Sequence, residues 1–273
     1  MVRPVVSRAW WQAHAGEVVL ADVRRDVPGT TASAAYAAGH LPGAVFVDLE
    51  RWLAGPPSPE HGRHPLPTPE VFAEGMARAG IGDTDVVVAC DDAAGTVAAR
   101  LVWMLRRTGH EAALLDGGVQ PDDPLETGLA EPARRTFTPS PWPGAALAGP
   151  QDVTDHGSVV LDARSAERFA GAPDPLDPRP GHLPGARSLP CRDNVDADGF
   201  LLPDEVLRRR FAVLGVDDRT PVVSTCGSGV TACHTLLLLE HLGLPAGRLY
   251  PGSWSQWAAD PGRPVELGAG PRG

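Results

Sequence analysis

The residues best placed to do chemistry in this chain lie in Pro221-Val222-Val223-Ser224-Thr225-Cys226-Gly227-Ser228-Gly229-Val230-Thr231-Ala232. A β-branched run too short for a helix ends at Thr225, and helical spacing of apolar residues follows from about Val230. Cys226 therefore stands at the carboxyl end of a buried strand, facing a helix N-terminus, which is where open α/β sheets bind ligands. Gly227 and Gly229 let the backbone turn its N–H groups inward, making an anion-holding nest at the positive end of the helix dipole. Negative charge on the sulfur is stabilised there, and the thiolate is the nucleophilic form of cysteine. Phosphate loops share this physics but need other residues. A Walker A loop requires Gly-Lys-Ser/Thr, and all 24 basic residues of this chain are Arg. A cysteine phosphatase would place an Arg six positions after the nucleophile to hold phosphate bidentately, and Ala232 stands there.

The elements that must position this loop repeat along the chain. Val18-Val19-Leu20-Ala21-Asp22-Val23-Arg24 returns as Val159-Val160-Leu161-Asp162-Ala163-Arg164, and Gly39-His40-Leu41-Pro42-Gly43-Ala44 returns unchanged as Gly181-His182-Leu183-Pro184-Gly185-Ala186. Asp85-Val86-Val87-Val88-Ala89-Cys90 pairs with Pro221-Val222-Val223-Ser224-Thr225-Cys226, at a similar offset and in the same order. Such self-similarity marks a duplicated domain. The expected division is 1–122 and 150–273, joined by a Pro- and Gly-rich connector over 123–149 that Phe137 and Trp142 anchor. In both halves short β-branched runs (18–22, 86–89, 159–162, 222–225) alternate with helical stretches (98–107, 232–242), and Thr68-Pro69-Glu70 and Pro203-Asp204-Glu205 read as helix starts. This pattern predicts the α/β class, with a mostly parallel sheet flanked by helices in each half.

Composition bounds the rest. No run approaches the ~18 consecutive apolar residues of a membrane span, and a net charge of -10 disfavours nucleic acid and anionic membrane as partners. Gly 31 and Pro 29 in 273 residues imply many turns within a folded chain. The opening MVRPVVSRAWWQAH lacks the pattern of a secretory signal, so a cytoplasmic location is expected. Four cysteines, none in a Cys-x-x-Cys pair, are then reduced thiols rather than a disulfide framework. In the first half the loop after the corresponding strand reads Cys90-Asp91-Asp92-Ala93-Ala94-Gly95-Thr96. Aspartates replace the glycines, which predicts an inert Cys90. Cys233 falls within the helix and reads as core. His40 and His182 recur in a half without catalytic machinery, which assigns them to stabilising their turns, and the same reasoning makes Asp22, Arg24, Asp162 and Arg164 intradomain ion pairs.

The Cys226-Gly227-Ser228-Gly229-Val230-Thr231-Ala232 loop, the two Gly-His-Leu-Pro-Gly-Ala turns, the Asp-x-Arg motifs and Tyr250-Pro251-Gly252-Ser253-Trp254-Ser255-Gln256-Trp257 resemble the tandem rhodanese family of sulfurtransferases over about residues 5 to 267. The loop is more similar to the 3-mercaptopyruvate branch than to the thiosulfate branch, whose loop carries Arg and Lys after the cysteine. The resemblance implies two rhodanese-like domains with catalysis in the second alone. It implies a ping-pong transfer in which Cys226 takes the donor's outer sulfur as a persulfide and passes it to cyanide or to a thiol such as thioredoxin or glutathione, without metal or organic cofactor. Arg168 matches the family's substrate arginine and Arg179 is the candidate for a second, with Gly227, Gly229, Val230 and Thr231 cradling the sulfur. Ser228, His64 and Glu50 match a serine-histidine-carboxylate relay, with Glu50 standing where the family has Asp. Thiosulfate transfer and a non-catalytic binding module of the same fold are the alternatives.

Overall fold

The computed structural model describes residues 2–155 and 157–270, so the outermost limits of the two expected domains, at Met1 and Gly273, lie outside the described residues. The chain divides into two units. The first comprises residues 1–55, 66–142 and 197–200, and the second residues 56–65, 143–196 and 201–273. Among the described residues no helix is long and apolar enough to cross a membrane.

In the first unit β1 (Val5–Val6), β2 (Val18–Arg24), β3 (Val45–Asp48), β4 (Val86–Cys90) and β5 (Ala112–Leu115) form one sheet in the order β1-β5-β4-β2-β3. Every pairing is parallel. Helices α1 (Arg8–Ala13), α2 (Ala32–Ala38), α3 (Pro69–Arg78) and α4 (Ala98–Arg107) connect them. Val87, Val88 and Ala89 are fully buried, as a strand covered on both faces requires. Thr68 caps α3 by accepting from the Val71 N–H, with Pro69 at the first helical position, where its missing N–H costs nothing. Phe137 stacks on His110 at 4.4 Å and meets Phe72 edge-on at 5.7 Å, while Trp142 Nε1 donates to the Pro67 carbonyl at 2.7 Å. These are the anchors expected along the connector, and both lie in this unit.

The second unit repeats the plan. β6 (Val159–Asp162), β7 (Arg187–Ser188), β8 (Val222–Thr225) and β9 (Arg248–Leu249) lie in the order β7-β6-β8-β9, again all parallel, with helices α5 (Ala166–Ala170), α6 (Asp204–Val213), α7 (Ala232–His241) and α8 (Ser253–Ala259). Its core gathers Val160, Phe169, Leu183, Val223, Tyr250, Trp254 and Trp257.

The duplicated Gly-His turns are structural in each unit. The His40 ring stacks on Tyr36 at 3.9 Å with Nδ1 3.0 Å from the Tyr36 carbonyl oxygen. The His182 ring stacks on Phe169 at 3.7 Å with Nδ1 2.7 Å from that residue's carbonyl oxygen. Gly43 and Gly185 both adopt φ of 74°, a conformation that favours glycine. Their N–H groups donate to Glu126 and Glu266, each at 3.0 Å. Those glutamates are a further echo, Pro124-Leu125-Glu126 against Pro264-Val265-Glu266. The start of the stretch read from sequence as connector is thus the first unit's own closing strap, and its counterpart ends the second.

Candidate active site

β8 and the loop after it place Cys226. Cys226 follows the last residue of β8 and is buried, and the Gly229 N–H donates to its sulfur at 3.1 Å. Gly229 has φ of 81°, and a Cβ there would lie 2.5 Å from the Pro251 carbonyl oxygen, so only glycine permits the loop to fold back over the thiol. Among the described residues the N–H groups of Ser228, Val230 and Thr231 donate to no protein acceptor. They lie in the loop leading into α7, whose N-cap Thr231 has no side-chain cap bond. Unpaired backbone N–H groups just ahead of a helix form a nest of the kind that holds anions.

The remaining cysteines of this unit pack against the same loop. Cys233 Sγ donates to the Gly229 carbonyl at 3.4 Å. Burial, then the neighbouring Cys226, push the Cys191 thiol up to about 12, so it stays protonated at neutral pH.

Residues around α8, to which sequence reasoning assigned no role, hold the loop. Ser253 Oγ accepts from the Cys226 N–H at 3.2 Å and donates to the Tyr250 carbonyl at 2.8 Å. It does so from a positive φ of 50°, a strained conformation for serine that the surrounding bonds sustain. The Trp254 N–H donates to the Cys226 carbonyl at 3.0 Å and the Ser255 N–H to the Gly227 carbonyl at 2.9 Å. Ser255 Oγ in turn accepts from the Arg63 N–H at 3.0 Å. One short segment therefore orders both the cysteine loop and the Pro56–Pro65 excursion that belongs to this unit.

That excursion brings His64 to the loop, with His64 Nδ1 2.7 Å from Ser228 Oγ. Glu50, the third residue named for a relay, lies in the first unit within the π-helical turn Leu49–Leu53. Its carboxylate accepts from the Asp26 N–H at 3.3 Å, and burial raises its pKa.

The two candidate arginines separate. Arg168 lies over the loop, with Nη2 3.3 Å from the point a Gly227 Cβ would occupy. It is held by Asp177 at 2.6 Å and Asp174 at 3.0 Å. Arg179 is occupied elsewhere. It donates to the carbonyls of Trp257, Ala258, Asp260 and Arg263, closing the C-terminal end of α8. A fork with four carbonyl partners has little left for an anion. Arg63, which sequence reasoning passed over beside His64, also borders this loop. Its Nη2 lies 2.9 Å from the same Gly227 point. The lysine-free loop is therefore not without cations, because two guanidinium groups reach it from other segments.

The equivalent loop of the first unit is built differently, and its register corrects the pairing of cysteines. Asp22 pairs with Cys90 across β2 and β4, and Asp162 pairs with Thr225 across β6 and β8. The counterpart of Cys226 is thus Asp91, one residue beyond Cys90. The Asp91 carboxylate accepts four backbone N–H groups, those of Ala93, Gly95, Val97 and Ala98, at 2.7–2.8 Å. A fixed carboxylate fills the nest that holds sulfur in the second unit. Cys90 points from the strand into the core, where burial, then Asp22 and Asp91, raise its pKa well above the ordinary thiol value.

The model of the family described as "Rhodanese-like domain" matches residues 7–121 and 148–260. A Pseudomonas aeruginosa protein named "Probable 3-mercaptopyruvate sulfurtransferase" is 40% identical over 85% of this chain and 86% of its own. "Thiosulfate/3-mercaptopyruvate sulfurtransferase 2" of Arabidopsis thaliana is 33% identical over 96% of this chain and 81% of its own. Among solved structures, the 3-mercaptopyruvate sulfurtransferase from Leishmania major superposes with a TM-score of 0.82 at 31% identity, over 93% of this chain and 73% of that one.

Proposed function

The chain belongs to the rhodanese family as a two-domain sulfurtransferase, and from that premise we propose that it moves sulfur from 3-mercaptopyruvate through a persulfide on Cys226 to a thiol or cyanide. The observation that carries this reading is the Cys226 sulfur held by the Gly229 N–H at 3.1 Å, with the His64–Ser228 pair on the same loop. In the first half-reaction the Cys226 thiolate attacks the donor sulfur. A sulfur–sulfur bond forms and the sulfur–carbon bond breaks, its electron pair staying on carbon as the enolate of pyruvate, which takes a proton to become pyruvate. The Ser228 hydroxyl, backed by His64, donates to the donor's keto oxygen as charge builds there, while loop amides stabilise the persulfide. In the second half-reaction the acceptor attacks the outer sulfur and the Cys226 thiolate leaves. Small thiols and thioredoxin are the acceptors this chemistry suits, and a cytoplasmic site of action goes with it.

Two guanidinium groups over Gly227 also suit sulfonate oxygens, which makes thiosulfate the second reading. The decision rests on kcat/KM for the two donors with purified protein. A higher value for 3-mercaptopyruvate is expected, and a clear preference for thiosulfate would overturn the proposal. Ser228→Ala supplies an internal check. It is expected to lower kcat with 3-mercaptopyruvate by ~10²-fold, the usual cost of losing one donor to a developing oxyanion. The thiosulfate rate should change little, since sulfite leaves without needing a proton. Equal losses with both donors would assign Ser228 a structural role only.

A further inference from the structure

Three arginines converge on Asp177, whose side chain is only 4% exposed. Arg164 reaches it at 3.5 Å, Arg63 at 3.1 Å and Arg168 at 2.6 Å. They differ in what is left over. Arg164 is buried and occupied by Asp162, the Gly181 carbonyl and the face of Trp254. Arg63 uses Nη1 alone, toward Leu176 O and Asp177, and Arg168 uses Nε and Nη2 toward Asp174 and Asp177. Among the described residues Arg63 Nη2 and Arg168 Nη1 therefore have no acceptor. Both guanidinium groups border Gly227, the residue next to the nucleophile, where a Cβ would meet Arg63 Nη2 at 2.9 Å, Arg168 Nη2 at 3.3 Å and Arg168 Nη1 at 3.8 Å.

We propose that Arg63, rather than Arg179, is the partner of Arg168 in binding the donor's carboxylate, and that Asp177 is the positioning residue that holds the two guanidinium groups as one fork. The inference rests on the reading of 3-mercaptopyruvate as donor. A carboxylate has two oxygens that accept planar N–H pairs, and the two unoccupied amino groups supply them from two sides. Asp177 is itself an anion, so it orders the cations while leaving their outward N–H groups to the ligand. Gly227 makes this room, since a Cβ there would meet Arg63 Nη2 at 2.9 Å and crowd Arg168 Nη2 at 3.3 Å.

The test is the steady-state kinetics of Arg63→Gln with 3-mercaptopyruvate, beside persulfide loading of Cys226 in the wild type followed by intact mass. Arg63 is part-exposed at 27%, so the variant should fold, and its melting curve verifies that. The expected result is a KM raised ~10–100-fold, the equivalent of one or two charge-assisted hydrogen bonds, with kcat nearly unchanged. Arg63→Lys should recover part of the loss. A KM within about threefold of wild type, less than half a decade of binding, would overturn the inference, as would a larger KM rise in Arg179→Gln. Failure of the wild type to load sulfur from 3-mercaptopyruvate would instead overturn the donor assignment, so the two failures are distinct.

Discussion

Cys226→Ser is expected to abolish turnover with either donor, by ~10⁴–10⁶-fold, the range seen when an enzyme loses its nucleophile. It should also abolish the mass gain of about 32 Da that a persulfide adds. Serine is nearly isosteric, so the Gly229 and Ser253 contacts can persist and the fold should be intact. What is lost is the chemistry, because a serine hydroxyl is a far weaker nucleophile toward sulfur and cannot carry the transferred sulfur as a persulfide. The other cysteines offer no substitute. Cys90 and Cys191 are kept protonated by burial, and Cys233 donates to the Gly229 carbonyl inside the unit. A sulfur adduct surviving in Cys226→Ser would move the reaction to one of those thiols and sink the assignment.

The second large effect concerns stability. Asp162→Ala is expected to destabilise the second unit by ~3–5 kcal/mol, a large part of the ~5–15 kcal/mol that holds a typical domain together. Arg164 Nε lies 3.0 Å and Nη2 2.7 Å from Asp162 Oδ2, and the two side chains are 1% and 0% exposed. Burial alone would favour the neutral form of Arg164, but the charge and hydrogen bonds of Asp162 outweigh it and raise its pKa. Removing the carboxylate leaves a buried guanidinium with Asp177 at 3.5 Å as its remaining counter-ion. Two units need not unfold together, so the measurement is hydrogen exchange resolved over 159–162 and 222–225. Loss of protection there with the first unit unaffected is the expected outcome. Asp162→Ala/Arg164→Met should recover part of the stability, because the unpaired charge is gone. A change below ~1 kcal/mol, the value of a surface pair, would show the pair to be dispensable.

Much of this was legible along the chain because it depends on residues close together in sequence. The strands 159–162 and 222–225 and the helix 98–107 stand where their β-branched runs and apolar spacing predict. The duplicated motifs show the two-unit plan directly, and each Asp-x-Arg pair closes over two residues. The cysteine loop declares itself for the same reason, since strand, glycines, nucleophile and helix start are contiguous.

Contacts that join distant segments are where spacing along the chain says least. Aligning Cys90 with Cys226 follows the letters, while sheet register makes Asp91 the equivalent position. Strand pairing is a property of hydrogen bonds between segments, and sequence spacing does not report it. The donors of Arg179, read along the chain as a second substrate arginine, close α8 some eighty residues away. Ser253 drew no functional notice, although it carries the Cys226 N–H.

The sequence by itself determined the class of fold, the duplication and the family, because local pattern encodes each of them. Only the tertiary structure decided which cations border the cysteine loop and which loop equivalents match. It alone brought His64 to Ser228, across 164 positions of the chain. Convergence of that kind depends on how the packed strands and helices return the backbone to one place, and no spacing of residues along a chain specifies it in advance.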